Sequence, residues 1–385
     1  MGYPIPRKLF RGGGAVNTRG ANAIGRPADR NYGIDFLRLV SMYMVVILHV
    51  LGHGGILSAT TGCKHHLAWF LETAAYCAVD CYAIISGFVS YKADEKPYKY
   101  AKYLGFWVQV LTYHFGITLL AFLIDPASIG ARALVRAFFP VTTGAYWYVG
   151  AYTGLFFLIP WLNKLMRSLD AKDATRLISL VFIVFVVYPT FSGYFGDCFK
   201  LGNGYSFVWI TILYLIGAWM KKCDLPKRIK SSRLLLGSAV CIVLSWFASE
   251  FLSVQIFVSY TSFTIVFVAI SLVSVFSKLQ ISSGLSKVIA FFAPAAFGVY
   301  LIHDQSLVSM RFMSSAFIWV TDHPAYLLPV LVILSAFCVF AICLLIEKAR
   351  LVLFKLLHID QLIHFVEKKL EHLLNRISEK TISRS

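Results

Sequence analysis

The sequence predicts an all-α, polytopic integral membrane protein of about ten transmembrane helices, with both termini in the cytoplasm. Three observations predict this class. Hydrophobic residues make up 58% of the 385 residues and charged residues only 14%, a balance too apolar for a soluble domain of this size. The apolar runs are close to the roughly 20 residues of a membrane-crossing helix and do not alternate as barrel strands do. Basic residues collect on one side of the resulting topology.

Ten segments have the length and hydropathy of membrane spans. They are 34–54, 67–91, 102–124, 146–163, 175–191, 205–220, 234–251, 258–277, 288–306 and 326–347. The segment 129–140 is too short to cross and is predicted to lie in the membrane interface. With the N-terminus inside, thirty of the 36 Lys and Arg residues lie in inside segments and five in outside loops, while Arg38 lies within the first span. This bias predicts cytoplasmic termini and an even number of spans.

The two ends of the chain differ from the membrane part. Residues 1–31 are polar and rich in Gly and Arg, which indicates a disordered basic tail without a secretory signal peptide. Residues 32–348 form the predicted membrane domain, and 349–385 a cytoplasmic amphipathic helix. That helix either pairs with a second copy through a heptad stripe or lies on the inner leaflet with its basic residues toward the lipid head groups. The stripe consists of Leu356, Ile359, Ile363, Val366, Leu370, Leu373 and Ile377, and the basic residues are Lys368, Lys369 and Arg376.

A stripe of ionisable residues follows the first span. Asp35, Arg38, His49 and His53 fall within about a 60° arc, and Arg38 and His49 are about 16 Å apart along the axis. Ionisable groups in a membrane helix are costly, so they normally face a protein interior or a wet cavity. The stripe therefore indicates a functional site. The alternative is a structural stripe, including an i, i+3 ion pair between Asp35 and Arg38.

Other polar residues are predicted to lie near His49, with Glu72 at outer depth and Asp80 nearer the middle of the membrane. Glu72 and Asp80 share one face of the second span, and His303 and Asp304 lie at the outer end of the ninth. A His beside a carboxylate is the arrangement that general base catalysis requires, because the carboxylate orients the ring and stabilises the imidazolium. The alternative for His303 is a structural hydrogen bond to a carbonyl.

Aromatic residues open the fourth span. Trp147 and Tyr148 are expected at outer depth, where they form either an interfacial aromatic belt or a platform for a sugar. Cys63 and Cys198 fall in outside loops, where a disulfide between them is permitted. No Cys/His spacing indicates a zinc site, and no P-loop or dinucleotide fingerprint is present in the sequence. His65, His66 and His323 are expected to be solvated loop residues.

Four stretches, which together span about 32–348, are IDFLRLVSMYMVVILHVLGH, VDCYAIISGFVSYK, YWYVGAYTGLFFLIPWL and AFGVYLIHDQ. In this order they resemble the membrane-bound acyltransferase 3 family of bacterial O-acyltransferases. The family's first-helix Arg and His fall on Arg38 and His49, and its late Tyr-Leu-Ile-His falls on Tyr300 to His303. Tyr300 thereby joins Trp147 and Tyr148 as a predicted substrate-binding residue. The family's Arg-rich motif is replaced by KPYKYAKYL, where Lys99 and Lys102 offer charge without a bidentate fork.

The resemblance implies O-acyl transfer, most simply of acetyl, from cytoplasmic acetyl-CoA to a hydroxyl of a cell-envelope glycan. His49 is expected to be the general base or a transient acyl carrier, with Glu72 or Asp80 orienting it, and no metal is required. Arg38, Lys99 and Lys102 are expected to contact acyl-CoA.

The acceptor is left open among polysaccharide, peptidoglycan, lipid-linked sugar and small molecule. The expected location is the inner (cytoplasmic) membrane, and nucleic acid is not an expected partner. The alternatives are a polysaccharide or lipid-linked sugar transporter, flippase or polymerase, and an inactive sensor or scaffold with the same fold.

Overall fold

A computed structural model describes residues 30–94, 98–127 and 129–382, and within these ranges the secondary structure is helical with no strand. Most of the predicted tail, residues 1–29, lies outside the described residues. The first nine α-helices are α1 Tyr32–Leu51, α2 Ile56–Ala59, α3 Gly62–Ala75, α4 Ala78–Ser90, α5 Tyr103–Ile124, α6 Ala131–Ala137, α7 Trp147–Ser168, α8 Ala171–Phe182 and α9 Tyr188–Ser192. The others are α10 Phe207–Lys222, α11 Leu225–Arg228, α12 Ser231–Leu252, α13 Phe263–Ser277, α14 Ser283–Phe292, α15 Ala296–His303, α16 Ser306–Val308, α17 Leu328–Leu356 and α18 Ile359–Ile382.

All ten predicted spans coincide with helices, and seven helical segments among the described residues are long and apolar enough to cross a membrane. They are Tyr32–Ala59, Gly62–Ser90, Tyr100–Ile124, Ala171–Ser192, Ser231–Leu252, Ser283–His303 and Ala325–Leu356. At the other three positions, α10 has 16 residues and α13 has 15, while α7 is long enough but carries Asn163, Lys164 and Arg167 near its end. The all-helical membrane class is confirmed. The count of ten and the orientation of the termini stay predictions.

Helix α1 lies at the centre of the bundle, where it packs against α3, α4, α13, α15 and α17. Its apolar residues are buried nearly all round, which is the pattern of a helix enclosed by other helices. The stripe that carries Arg38 and His49 therefore faces protein and internal cavities instead of lipid. The Asp35–Arg38 pair predicted from the spacing forms, with 2.7 Å between Oδ1 and Nη1.

Helices α4 and α10 cross at a distance that only glycine permits. A Cβ at Gly87 would lie 1.9 Å from the carbonyl oxygen of Tyr214, and a Cβ at Gly217 would lie 2.0 Å from that of Ile84. Each glycine thus admits the backbone of the other helix, as small residues do at helix interfaces in membranes. This close crossing holds α4 against α10, and α4 is the helix that lines the cavities described below.

Two of the predicted spans are each divided into two helices. The second span divides at Tyr76 and Cys77 into α3 and α4, and the ninth divides at Ala293–Ala295, around Pro294, into α14 and α15. Proline lacks the N–H of a continuous helix, which accounts for the second break. Both breaks fall beside internal cavities, where irregular backbone is tolerated in a membrane protein.

The fully buried carboxylate of Glu347 joins α17 to α5. Glu347 accepts hydrogen bonds from Gln109 Nε2 at 3.0 Å, from Arg350 Nη2 at 2.6 Å, and from the hydroxyl of Tyr113. A Cβ at Gly298 of α15 would lie 2.5 Å from the Glu347 carboxyl carbon, so the same carboxylate also packs on the helix that carries His303. The ion pair with Arg350 lies within α17, and the hydrogen bonds to the Glu347 carboxylate offset the cost of burying its charge.

The C-terminal helix α18 packs back on the membrane domain. It contacts the 3₁₀ turn Tyr100–Lys102, and a Cβ at Gly105 would lie 3.9 Å from Ile363 and 3.5 Å from Glu367. Ile359, Ile363 and Val366 of the predicted heptad stripe are thus half-buried within the chain, while Leu356, Leu370 and Leu373 stay exposed. The side chain of Ile377 lies outside the described residues.

Cys63 and Cys198, for which the sequence left a disulfide open, are both exposed free thiols in this structure. One expectation about the predicted outer loops is corrected. His65 and His66 lie in the first turns of α3 instead of a loop, and both contact the carboxylate of Glu250 on α12.

Candidate functional site

The structure brings His49 and His303 into direct contact, although 254 residues separate them in the chain. The Nδ1 atom of His49 lies 3.0 Å from the Nε2 atom of His303 and 3.7 Å from a carboxylate oxygen of Asp304. The ring of His53 stacks on the ring of His49, with 4.7 Å between centroids. His49 therefore has a histidine, a carboxylate and a second imidazole around it.

The hydrogen bonds define the tautomers of this pair. The Nδ1 atom of His303 lies 2.6 Å from the carbonyl oxygen of Val299 and must donate, because a carbonyl only accepts. In a neutral His303 the Nε2 atom is then an acceptor, so His49 donates from Nδ1. The Nε2 atom of a neutral His49 consequently carries a lone pair, and no hydrogen bond from the described residues engages it. This is the arrangement of an oriented general base.

His49 lines a cavity of about 190 Å³ whose walls are mainly aromatic; we call it the aromatic cavity. Its aromatic residues are Tyr76, Tyr82, Trp147, Tyr148, Tyr205, Tyr260, Phe297 and Tyr300. The rings of Trp147 and Tyr205 are 4.7 Å apart, and those of Tyr205 and Tyr260 are 5.2 Å apart. Glu72 is an acidic residue in the wall, and its Oε2 is buried without a hydrogen bond from the described residues. The cavity thus offers flat rings, the carboxyl of Glu72 and the imidazoles of His49 and His53.

A second cavity of about 330 Å³ adjoins the aromatic cavity; we call it the Arg38 cavity. Tyr82, Tyr148 and Phe297 line both. Ser86, one helical turn after Tyr82 along α4, lines only the Arg38 cavity. The two cavities therefore follow each other along α4, with three aromatic side chains between them.

A third cavity of about 300 Å³ continues the series by another helical turn; we call it the basic pocket. Its wall includes Ser90 of α4, Phe156 of α7, and four basic residues with one acidic residue. The charged residues are Lys92, Lys99, Lys102, Arg167 and Asp94. From Tyr82 to Ser90 the rise along α4 is about 12 Å. The three cavities thus line up from the basic pocket, past Arg38, to His49.

The predicted site residues separate into those with and without a contact to His49 or the cavities. Glu72, Trp147, Tyr148 and Tyr300 line the aromatic cavity with His49; Arg38 lines the second cavity, and Lys99 and Lys102 the third. Asp80 differs, since its carboxylate accepts a 3.2 Å hydrogen bond from Trp209 Nε1 and no described contact joins it to His49. The carboxylate beside His49 belongs to Asp304. An orienting role for Asp80 thus stays a prediction without a supporting contact.

Three residues of these cavities were not singled out from the sequence. Arg167 supplies the basic pocket with the guanidinium fork that KPYKYAKYL lacks. From sequence, its segment was identified only as a basic segment that follows the fourth span on the inside. Tyr205 and Tyr260 stand at the outer ends of predicted spans, where aromatic residues usually mark a membrane interface. In each case the local pattern had a common alternative, and only the packing distinguishes the two.

The comparisons with known proteins identify the family of this chain. The model of the acyltransferase domain of the acyltransferase 3 family matches residues 31–348. The chain therefore belongs to the acyltransferase 3 family, which confirms the resemblance found in the four sequence stretches. No curated protein and no solved structure matched the chain in the corresponding comparisons. The protein is thus a membrane protein of an acyltransferase family.

Proposed function

We propose that this protein moves an acyl group, most simply acetyl, from cytoplasmic acyl-CoA to a hydroxyl of a cell-envelope glycan or related sugar, within the inner membrane. The observation that carries the proposal is the His49 ring in the wall of the aromatic cavity. Its Nδ1 is bound to His303, which leaves its Nε2 for a substrate. Membership of an acyltransferase family gives that base a reaction to perform.

In the proposed reaction, His49 Nε2 takes the proton of the acceptor hydroxyl as the oxygen attacks the thioester carbonyl. A C–O bond forms, the C–S bond breaks, and the proton passes from His49 to the departing thiolate of CoA. His303 holds the ring through Nδ1, and Asp304 at 3.7 Å stabilises the imidazolium that forms in between. Both groups act through His49, so they are positioning residues.

The donor is assigned to the series of cavities by charge and length. The nucleotide end of CoA carries phosphates, which lysine and arginine side chains bind through charge-assisted hydrogen bonds. The basic pocket supplies four such side chains, and Arg38 stands between that pocket and His49. The narrow pantetheine arm would pass Ser86 and reach the aromatic cavity at Tyr82, where its thioester meets His49. Predicted cytoplasmic exposure of the basic pocket matches the location of acyl-CoA.

The acceptor is assigned to the aromatic cavity. Aromatic rings pack against the apolar faces of sugars, while carboxylates accept hydrogen bonds from their hydroxyls. Trp147, Tyr205 and Tyr260 form a cluster of touching rings, and Glu72 presents a carboxyl without a protein partner among the described residues. A sugar ring on these aromatic side chains would offer its hydroxyls to His49.

The decisive experiment separates donor binding from transfer in the purified full-length protein. Wild type is expected to bind a non-transferable acyl-CoA analogue and to transfer labelled acetyl to candidate glycans. His49→Ala should lose about 10²- to 10⁴-fold in transfer, the usual contribution of a general base, and keep analogue binding. Arg38→Lys and Lys102→Ala should weaken analogue binding, whereas Lys172→Ala, an exposed lysine outside the pocket, should not.

Three results would count against the proposal. Absence of analogue binding by wild type would remove the donor and favour a transporter. Near wild-type transfer by His49→Ala would mean that another group is the base. An acetylated His49 trapped with donor alone would replace the general base by a covalent acyl carrier, because a base forms no such adduct.

A further inference from the structure

We propose that His49, His53 and Asp304 bind a divalent transition-metal ion, Zn²⁺ in the first instance, and that the bound ion inhibits acyl transfer. The site is a property of the fold, whereas the inhibition rests on the proposed function. One ring nitrogen from each histidine and a carboxylate oxygen lie within 4.8 Å of one another. Among the described residues, these three form the group whose potential ligand atoms lie close enough together to hold one metal ion.

The ligand types suit Zn²⁺. Imidazole nitrogen and carboxylate oxygen are zinc ligands with bonds of about 2.0–2.2 Å, and three protein ligands leave a fourth position for water. Ligand atoms in a tetrahedral shell with such bonds are about 3.3 Å apart, so shifts of about 1 Å in the three side chains would close the shell. Magnesium and calcium prefer all-oxygen sites, which this one is not.

The position of His53 makes these shifts feasible. His53 follows the end of α1 at Leu51, and its side chain is exposed. Its backbone is held in place, because its carbonyl accepts a 2.9 Å hydrogen bond from Ser315 N. The ring can therefore turn on a fixed backbone, and an ion can reach it from solvent. Asp304 is half-buried and directly follows α15, and its carboxylate lies 3.7 Å from His49 Nδ1.

Metal binding and general base catalysis both require the imidazole ring of His49, so they exclude each other. An ion on His49 Nε2 would occupy the lone pair that the proposed reaction needs. An ion on Nδ1 would displace the bond to His303 and leave the ring in the wrong orientation. Either geometry blocks proton transfer, and both place the ion in the wall of the cavity assigned to the acceptor.

The test uses the purified full-length protein with Zn²⁺ and, as a spectroscopic probe, Co²⁺. Calorimetry is expected to show saturable Zn²⁺ binding, and Co²⁺ a visible spectrum of a site with nitrogen and oxygen ligands. His53→Ala should weaken binding at least about tenfold, because it removes a direct ligand. Asp304→Asn should also weaken binding. His323→Ala, an exposed outer histidine, and His66→Ala, which contacts Glu250, should leave it unchanged.

In transfer assays, Zn²⁺ should inhibit wild type, EDTA should reverse the inhibition, and the inhibitory concentration should rise at least about tenfold in His53→Ala. Unsaturable binding, or binding lost in His66→Ala but kept in His53→Ala, would overturn the site. Metal binding at His53 without inhibition of transfer would refute the inhibition and leave the metal site standing. A protein without transfer activity would refute the proposed function, and the calorimetric and Co²⁺ measurements would still decide the metal site.

Discussion

His303 provides the most discriminating test of the proposed chemistry, because its proposed role is to accept a hydrogen bond from His49 and can be separated from packing by substitution. Its Nε2 accepts from His49 Nδ1 at 3.0 Å, and its own Nδ1 donates to Val299. His303→Ala removes the acceptor, so His49 loses its fixed tautomer and the partner of its developing charge. His303→Gln is the matched control, since an amide oxygen at a similar distance can still accept from His49.

The size of the effect follows from the kind of hydrogen bond that is lost. A hydrogen bond to a charged group contributes about 1.5–3 kcal/mol, which corresponds to about 10- to 150-fold in rate when the charge is present only in the transition state. His303→Ala is therefore expected to lower kcat for acetyl transfer by about 10- to 150-fold with little change in KM for acyl-CoA. His303→Gln should recover much of that loss.

The assay is acetyl transfer from labelled donor by matched amounts of folded, purified variants. Equal thermal unfolding of the two variants would exclude a difference in folding. The reasoning is refuted if His303→Ala keeps near wild-type kcat, or if the Gln variant is as slow as the Ala variant. In the second case His303 would act through packing alone.

Three other perturbations test the fold and the topology. Gly217→Ala should sharply lower the yield of folded protein, because its Cβ would meet a backbone carbonyl at 2.0 Å, whereas Gly116→Ala, with no atom within 4 Å, should be tolerated in thermal unfolding assays. Glu347→Ala should destabilise the protein by about 3–5 kcal/mol in denaturant titration, since it strands a largely buried guanidinium, and an unchanged midpoint would contradict that account. Reporters fused after Pro226 and at Lys200 should report cytoplasm and outside, respectively, from the distribution of basic residues, and the reverse result would overturn the topology.

The sequence by itself predicted the class of fold, the family and the polar residues of the first span. Hydropathy over about 20 residues and helical periodicity are local properties, so they can be recognised from the sequence without knowledge of the packing. Arg38 and His49 were identified because ionisable residues in an apolar helix stand out against their surroundings. The Asp35–Arg38 pair could also be predicted from the sequence, because an i, i+3 spacing fixes the distance between two residues of one helix.

The tertiary structure decided which of these residues meet. The sequence predicted Glu72 or Asp80 as the carboxylate that orients His49. In the structure Asp80 accepts a hydrogen bond from Trp209, and the carboxylate near the His49 ring is that of Asp304. The tautomer of His49 depends on His303, whose own proton is placed by the Val299 carbonyl. Contacts between residues 254 positions apart depend on how the helices cross, and that crossing depends on glycines and breaks whose consequences appear only when the backbones are packed together.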